Sequence, residues 1–424
     1  MVQKIAKAVS SVAGIAIAPT DASASVTAES TGTASFAGLI TARKGQPFTV
    51  IKVNSDNWQK KLGKPFHMRE GYQPEGMRQL GEAVLGGDGY VVRVVGSDAT
   101  FPAIAINTPA VDTVNPVVET GESFHAGLEP TTTGNVGSFY CVDGDTSQRT
   151  IAIAAAPVAE YGADMFILTI HAGADNTGAV LETHVVSFEY DGTFNGASAF
   201  VEDVIDRDSL ILKFKAGDDV TSFEGIADVT FACNNGASTI ADVADGYTKA
   251  LDALKQSDAE FTHTLSLGIY DDAAIQALAT IASDRRIQNF TDIEPNLSFS
   301  AAVARATSLA LNNPHVVLLH LPYTANDPYY GGRALWGASG MAFKAKAMGI
   351  VKSPPVGGFH YSFAGEERGV ITRAGMQINA NAGEADYEAM VKARVNKVAP
   401  SSSGLLMFDD TLTSSVKHDA LRFE

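Results

Sequence analysis

A run of non-polar positions long enough for a core strand starts at Phe36. Residues 1–33 before it are rich in Ala, Ser and Thr and keep no period, so they read as an extended N-terminal arm without a core of its own. Residues 36–42 and 48–53 read as strands, with Pro47 at the start of the second, where a missing N–H costs least. Residues 54–62 and 74–85 read as short helices. Residues 89–95 (GYVVRVV) read as a strand after an Asp88-Gly89 turn.

Between 102 and 238 the helical period fades. Short strands are expected at 165–170, 184–190, 210–215 and 229–233, and Asp191-Gly192 is expected to turn a hairpin. Helical spacing returns with Tyr247, Leu251 and Leu254 at i, i+4, i+7. A strand at 264–270 follows. Asp272 is expected to cap the helix carrying Ile275, Leu278 and Ile281, and Ser298 or Ser300 the helix 301–311. Strands at 286–290 and 316–321 lie around the latter helix. The second (VVLLHL) is continuously apolar, as when both faces of a parallel sheet are covered. A helix at 335–348, a break at Pro354-Pro355, a helix at 384–395 and a strand at 405–408 complete the pattern. The fold class is therefore mixed α/β and β: an arm (1–33), an N-terminal α/β subdomain (34–101), an inserted β-rich outer domain (102–238), an α/β core (239–356) and a C-terminal domain (357–424).

Composition narrows the function. Of 424 residues, 45% are hydrophobic and 19% charged, which suits a packed rather than a disordered chain. A net charge of −17 argues against general nucleic-acid binding. Residues 341–424 carry 10 Lys/Arg against 9 Asp/Glu, so the acidic excess sits in residues 1–340. Three bases, Lys392, Arg394 and Lys397, close the 384–395 helix, where they complement its dipole or meet an acidic partner. Cys141 and Cys233 belong to no CxxC or Cys/His cluster, so neither a disulfide framework nor a metal site is expected. Lys4 and Lys7 ahead of residues 9–18, with Ala22-Ser23-Ala24 behind, imitate a secretory signal. Ser10, Ser11 and Gly14, and the lack of any leucine, oppose that reading. No apolar run approaches the ~18 residues of a membrane span.

The segment Gly337-Ala338-Ser339-Gly340 resembles a subtilisin serine turn, and Asp271, His320 and Ser339 even fall in Asp…His…Ser order. Only 19 residues separate His320 from Ser339, and His320 sits inside an apolar strand, so Ser339 is expected to cap a helix. His315 and His320, five apart on a strand, point to opposite faces and cannot share a metal. GGDG (86–89) lacks the residues of a phosphate loop, and Asn289-Phe290-Thr291 is a glycosylation sequon only in a secreted chain. No catalytic, cofactor-binding or metal-binding residue is expected.

The order of segments resembles the contractile-tail sheath family of myoviruses, R-type tailocins and contractile injection systems. TASFAGLITARKGQPFTVIKV (31–53) looks like that family's opening strand pair, and GYVVRVV (89–95) is similar to the strand closing it. FVEDVIDRDSLILKF (200–214) resembles the segment before the core, and GYTKALDAL (246–254) the first core helix. GASGMAFKAKAMGIVKSPPVGGF (337–359) looks like the family's turn-helix and Pro-rich loop, and ARVNKVAPSSSGLLMFDDTLTS (393–414) its late "T-L-T" stretch. Phe408-Asp409 replaces the usual aromatic-glycine pair. The family also normally continues past the Leu421–Glu424 stretch with a helix and a linking strand, so the resemblance implies a trimmed chain or another mode of linkage. It further implies a subtilisin-like core and a non-enzymatic subunit in the virion tail, assembled in the host bacterial cytoplasm. The implied partners are further copies in six-fold rings, an inner tail tube, and baseplate and terminator proteins. No cofactor and no nucleic acid are implied. The other classes in play are a secreted β-rich adhesin, which needs a true signal, and a serine hydrolase, which needs a reactive Ser339.

Overall fold

The computed structural model describes residues 34–70, 73–96, 100–107, 118–125, 135–142, 149–223, 229–233, 246–352, 362–366 and 368–416. The expected arm, 1–33, lies outside them. Seven strands form one sheet in the order Val50–Val53, Gly89–Arg93, Phe36–Ile40, His263–Leu265, Gln288–Asp292, Val316–Leu319, Val395–Asn396. All neighbours run parallel except Val50–Val53, which is antiparallel to Gly89–Arg93. The sheet thus draws strands from three segments of the chain, 34–101, 239–356 and 357–424.

Side chains alternate across it. Phe36, Ile40, Val91, Phe290, Val317 and Leu319 share one cluster with Met77 and Leu80 of the helix Gly76–Ala83 and Met341 and Phe343 of the helix Ser339–Lys352. Ala37, Leu39 and Val92 face the other way, onto Leu251 and Leu254 of Tyr247–Gln256 and Leu278 and Ile281 of Asp272–Arg285. Val316 and Leu318 meet Phe299, Ala302 and Ala306 of Phe299–Leu309, and Met390 of Tyr387–Lys392. This two-sided cover explains why 316–319 is apolar at every position. Each fully buried Phe or Leu here contributes about 1.5–3 kcal/mol.

Between Arg93 and Tyr247 the chain builds two four-stranded sheets. One has the order Leu212–Ala216, Asn135–Cys141, Thr100–Asn107, Val118–His125; the other Val229–Cys233, Arg149–Ala155, Phe166–Ala172, Val180–Val186. They share a core of their own, with Ile104, Phe139, Ile151, Leu168, Val204 and Phe214 in one cluster. Phe188 stacks on Phe223 at 3.9 Å within it. Arg93, fully buried, fastens the stem: its guanidinium donates to the carbonyls of Ala42 (2.9 Å), Gly45 (2.7 Å) and Val142 (3.4 Å).

Several elements differ from the pattern reading for local reasons. The strand expected at 264–270 stops at Leu265, because Leu267 (φ 46°) and Gly268 (φ 76°) turn the chain away. Asp271, not Asp272, caps the next helix by accepting from the amide of Ala274. The hairpin turns at Asn195-Gly196 (φ 50° and 78°), the pairing of two left-handed residues that such turns require, rather than at Asp191-Gly192. The C-terminal helix spans only Tyr387–Lys392. Asp386 caps it, and Arg394 at φ 60° ends it, so Arg394 and Lys397 lie beyond the helix they were expected to close. Among the described residues no helix is long and apolar enough to cross a membrane.

Candidate functional site

The sheet starts in its middle. Phe36–Ile40 gains Gly89–Arg93 on one side and His263–Leu265 on the other, so strand order reverses between Phe36–Ile40 and His263–Leu265. Open α/β sheets bind ligands outside the carboxyl ends of the strands at such a reversal. Here protein occupies that crevice. Asp292, the last residue of its strand, accepts on Oδ1 from the amides of Ala338 (2.6 Å) and Ser339 (2.8 Å), and on Oδ2 from Ser266 Oγ (2.9 Å). Glu75 Oε2 accepts from Tyr270 Oη (2.6 Å) and from the amide of Gly337 (3.0 Å). Ser339 Oγ donates to Gln79 Oε1 (2.5 Å) and accepts from the amide of Leu267 (3.3 Å).

Electrostatics follow from this enclosure. Burial pushes Asp292 above the usual carboxylate range, against the hydrogen bonds it accepts. Burial first, with the nearby Asp292 charge adding to it, pushes Glu75 up to about 7, and its bonds from Tyr270 and Gly337 oppose the rise. Tyr270 is raised well above its ordinary value by burial and then by the Glu75 charge.

Two glycines let the segment close. A Cβ on Gly340 would lie 2.0 Å from the carbonyl oxygen of Gln79, and one on Gly337 2.6 Å from the Asp292 carboxyl. The glycines of the serine-turn look-alike therefore serve the crossing of Gly76–Ala83 over Ser339–Lys352. A concavity of about 760 Å³ lies instead at the amino ends of the strands, rimmed by Ala34, Asp88, Glu260, Phe261, Thr262 and Arg285.

The three residues in protease order are not brought into contact. Asp271 holds the amide of Ala274, the His320 ring packs edge-on against Phe299 at 5.5 Å, and Ser339 bonds Gln79 and Leu267. Burial lowers His320 to about 4, so its ring is neutral. Ser339 was expected to cap its own helix, but the helix-start amides go to Asp292, a carboxylate from a neighbouring strand. Among the described residues no three His, Cys, Asp or Glu side chains gather as metal ligands.

Pattern reading missed Glu75, Glu82, Asp292 and Arg373. Arg373 stacks 4.4 Å over the Trp336 ring and clasps both oxygens of Glu82 at 2.7 Å. It also donates to the carbonyls of Trp336 (2.9 Å) and Gly337. Arg78 pairs with Asp327 at 2.6 Å, both side chains nearly inaccessible. None of the four left a trace in the pattern: even the strand that ends at Asp292 reads Gln-Asn-Phe-Thr-Asp, with Phe290 its one apolar residue.

The C-terminal bases are largely engaged within the chain. Lys392 pairs with Glu388 at 2.7 Å on an exposed helix face. Lys397 pairs with Asp409 at 2.6 Å and lies 4.2 Å over the Tyr387 ring. Arg394, half-buried, makes no ion pair among the described residues. Nearby, Tyr387 and Val391 leave 50% and 41% of their surface exposed.

No family model matches the sequence, and no curated protein matches it. Among solved structures, the chain is similar to the sheath tail protein of Desulfitobacterium hafniense, at 14% identity and TM-score 0.45, covering 92% of this chain and 73% of that one. It is also similar to a sheath tail protein of Listeria innocua, at 12% identity and TM-score 0.49, covering 91% of this chain and 70% of that one.

Proposed function

We propose that this chain is a structural subunit of a contractile tail sheath: a polymer-forming protein that surrounds an inner tube and drives it forward by shortening. The observation that carries the reading is the convergence of segments on which the family resemblance rests. Residues 31–53 and 89–95 supply three adjacent strands, 393–414 supplies the far edge strand, and helices from 246–254 and 337–359 cover the same sheet. Motifs weak one by one thus belong to one body, which we read as the family's subtilisin-like core. The 200–214 segment falls instead in the inserted module, as the helix Val201–Asp208 and the start of the strand Leu212–Ala216.

In this reading the inserted module lies on the outside of the sleeve, and copies join head-to-tail in helically stacked rings, since contacts that do not close generate helices. The reversal crevice, filled by Asp292, Glu75 and Ser339, makes the core a rigid body suited to moving as a unit between lattices. Lys392 and Arg394 remain candidates for facing acidic groups on the tube. Lys397, already held by Asp409, contributes less. Exposed pairs are worth about 0–1 kcal/mol each, so such contacts act through many copies and release readily. Co-expression with the matching tube protein, viewed by negative stain, tests the proposal: sleeves around tubes are expected, and monodisperse monomers beside bare tubes would refute it.

A further inference from the structure

Three carboxylates and one guanidinium converge on the turn Trp336-Gly337-Ala338. Glu75 reaches it from the start of Gly76–Ala83, Asp292 from the end of Gln288–Asp292, and Glu82 through Arg373. Arg373 is spent on Glu82, which it binds through two nitrogens. Other cations nearby are committed elsewhere: Arg78 to Asp327, Arg305 to Glu294 and Asp272. The amino end of Ser339–Lys352 offers Asp292 about half a positive charge. Among the described residues Glu75 is hydrogen-bonded only by neutral donors, Tyr270 Oη and the amide of Gly337, and it faces the Asp292 charge, with Arg373 acting on it from a distance. A buried cluster in negative excess neutralises itself by binding a proton.

We propose that Glu75 is a proton-operated clasp, which holds the helix Gly76–Ala83 to the turn before Ser339–Lys352 while its carboxyl is protonated and loosens that junction when the proton leaves. Loss of the proton places two like charges around three residues of backbone, and opening the junction to water is the available relief. The groups facing the clasp are Tyr270 from the loop after His263–Leu265, Asp292 from its strand and Arg373 from the segment after 362, with Glu294 acting on Tyr270. A carboxyl that titrates near 7 when clasped and near its ordinary 4.5 when open makes opening about tenfold more favourable at pH 8 than at pH 6. This inference stands independently of the sheath reading.

Hydrogen exchange of the purified full chain, followed in peptides covering 336–345 and corrected for the intrinsic pH dependence of exchange, tests it. Wild type is expected to lose about tenfold in protection between pH 6 and 8, and Glu75→Gln, which keeps the accepting oxygen, to hold level. A level wild-type profile overturns the proposal, and so does an equal loss in Glu75→Gln. Should that variant not fold, Tyr270→Phe serves, since removing one donor to the carboxylate moves the midpoint upward; an unmoved midpoint overturns the clasp.

Discussion

Arg373→Ala probes the joint between the C-terminal segment and the body of the sheet. The side chain is 2% exposed, and its removal leaves Glu82, 16% exposed, without its cation. Breaking a buried pair by deleting one partner costs about 3–5 kcal/mol, mostly for the charge left behind. The lost stacking on Trp336 adds about 1–2 kcal/mol at a desolvated site. Urea denaturation of the purified chain, read by Trp fluorescence, should move to a clearly lower midpoint. Arg373→Lys should recover only part of the loss, because an ammonium cannot bind both oxygens of Glu82 while lying flat on the indole. A double-mutant cycle with Glu82→Gln isolates the pair, and a coupling of at least about 1 kcal/mol is expected. Additive single-variant effects, or a cost below about 1 kcal/mol for Arg373→Ala, would show that the Arg373–Glu82 pair is incidental to stability.

Gly340→Ala should destabilise by about 3 kcal/mol or more, since its methyl would sit 2.0 Å from the Gln79 carbonyl, whereas Gly331→Ala, with open space around it, should cost only about 1 kcal/mol for its positive φ; paired urea melts compare them. Ser339→Ala should cost about 1–2 kcal/mol through the lost bond to Gln79, and a fluorophosphonate probe should leave Ser339 unlabelled in wild type. His263, pushed down to about 3 chiefly by burial, is neutral in the fold and binds a proton on unfolding below its ordinary value, so stability should fall as pH drops from 6.5 towards 3. The melting temperature of wild type should fall more steeply across that window than that of His263→Phe, and parallel curves would assign the acid sensitivity elsewhere. Lys392→Glu with Arg394→Glu should impair assembly on the tube, with the gap from wild type widest at low salt, and unchanged assembly in negative stain would remove these residues from the interface.

The strands and helices of the sheet were legible because their apolar periods are local. The non-polar runs at 36–40 and 316–319 each state that both faces of the strand are covered. Element ends were less legible, because partners distant in sequence set them. The helix after the GASG segment begins at Ser339 because Asp292, 47 residues earlier, takes its first amides. The strand Val395–Asn396 pairs only because Leu318 and Leu319 lie beside it. The GASG segment misled for a related reason. Its glycines satisfy a helix crossing that involves Gln79, 261 positions before Gly340, and no local pattern distinguishes that need from a nucleophile's turn. Arg373, Glu82 and Glu75 read as surface charges until the fold encloses them together.

An epitope inserted at the exposed Asn195-Gly196 turn of the module between Arg93 and Tyr247 allows the sheath proposal to be read on the particle itself. Tails purified from a producing strain that carries the tagged chain, decorated with gold-labelled antibody, should bear label at regular intervals along the whole outer length, with the intervals shortening in contracted particles. Label confined to one end of the tail, or tails that carry none, would contradict the assignment of this chain to the sheath.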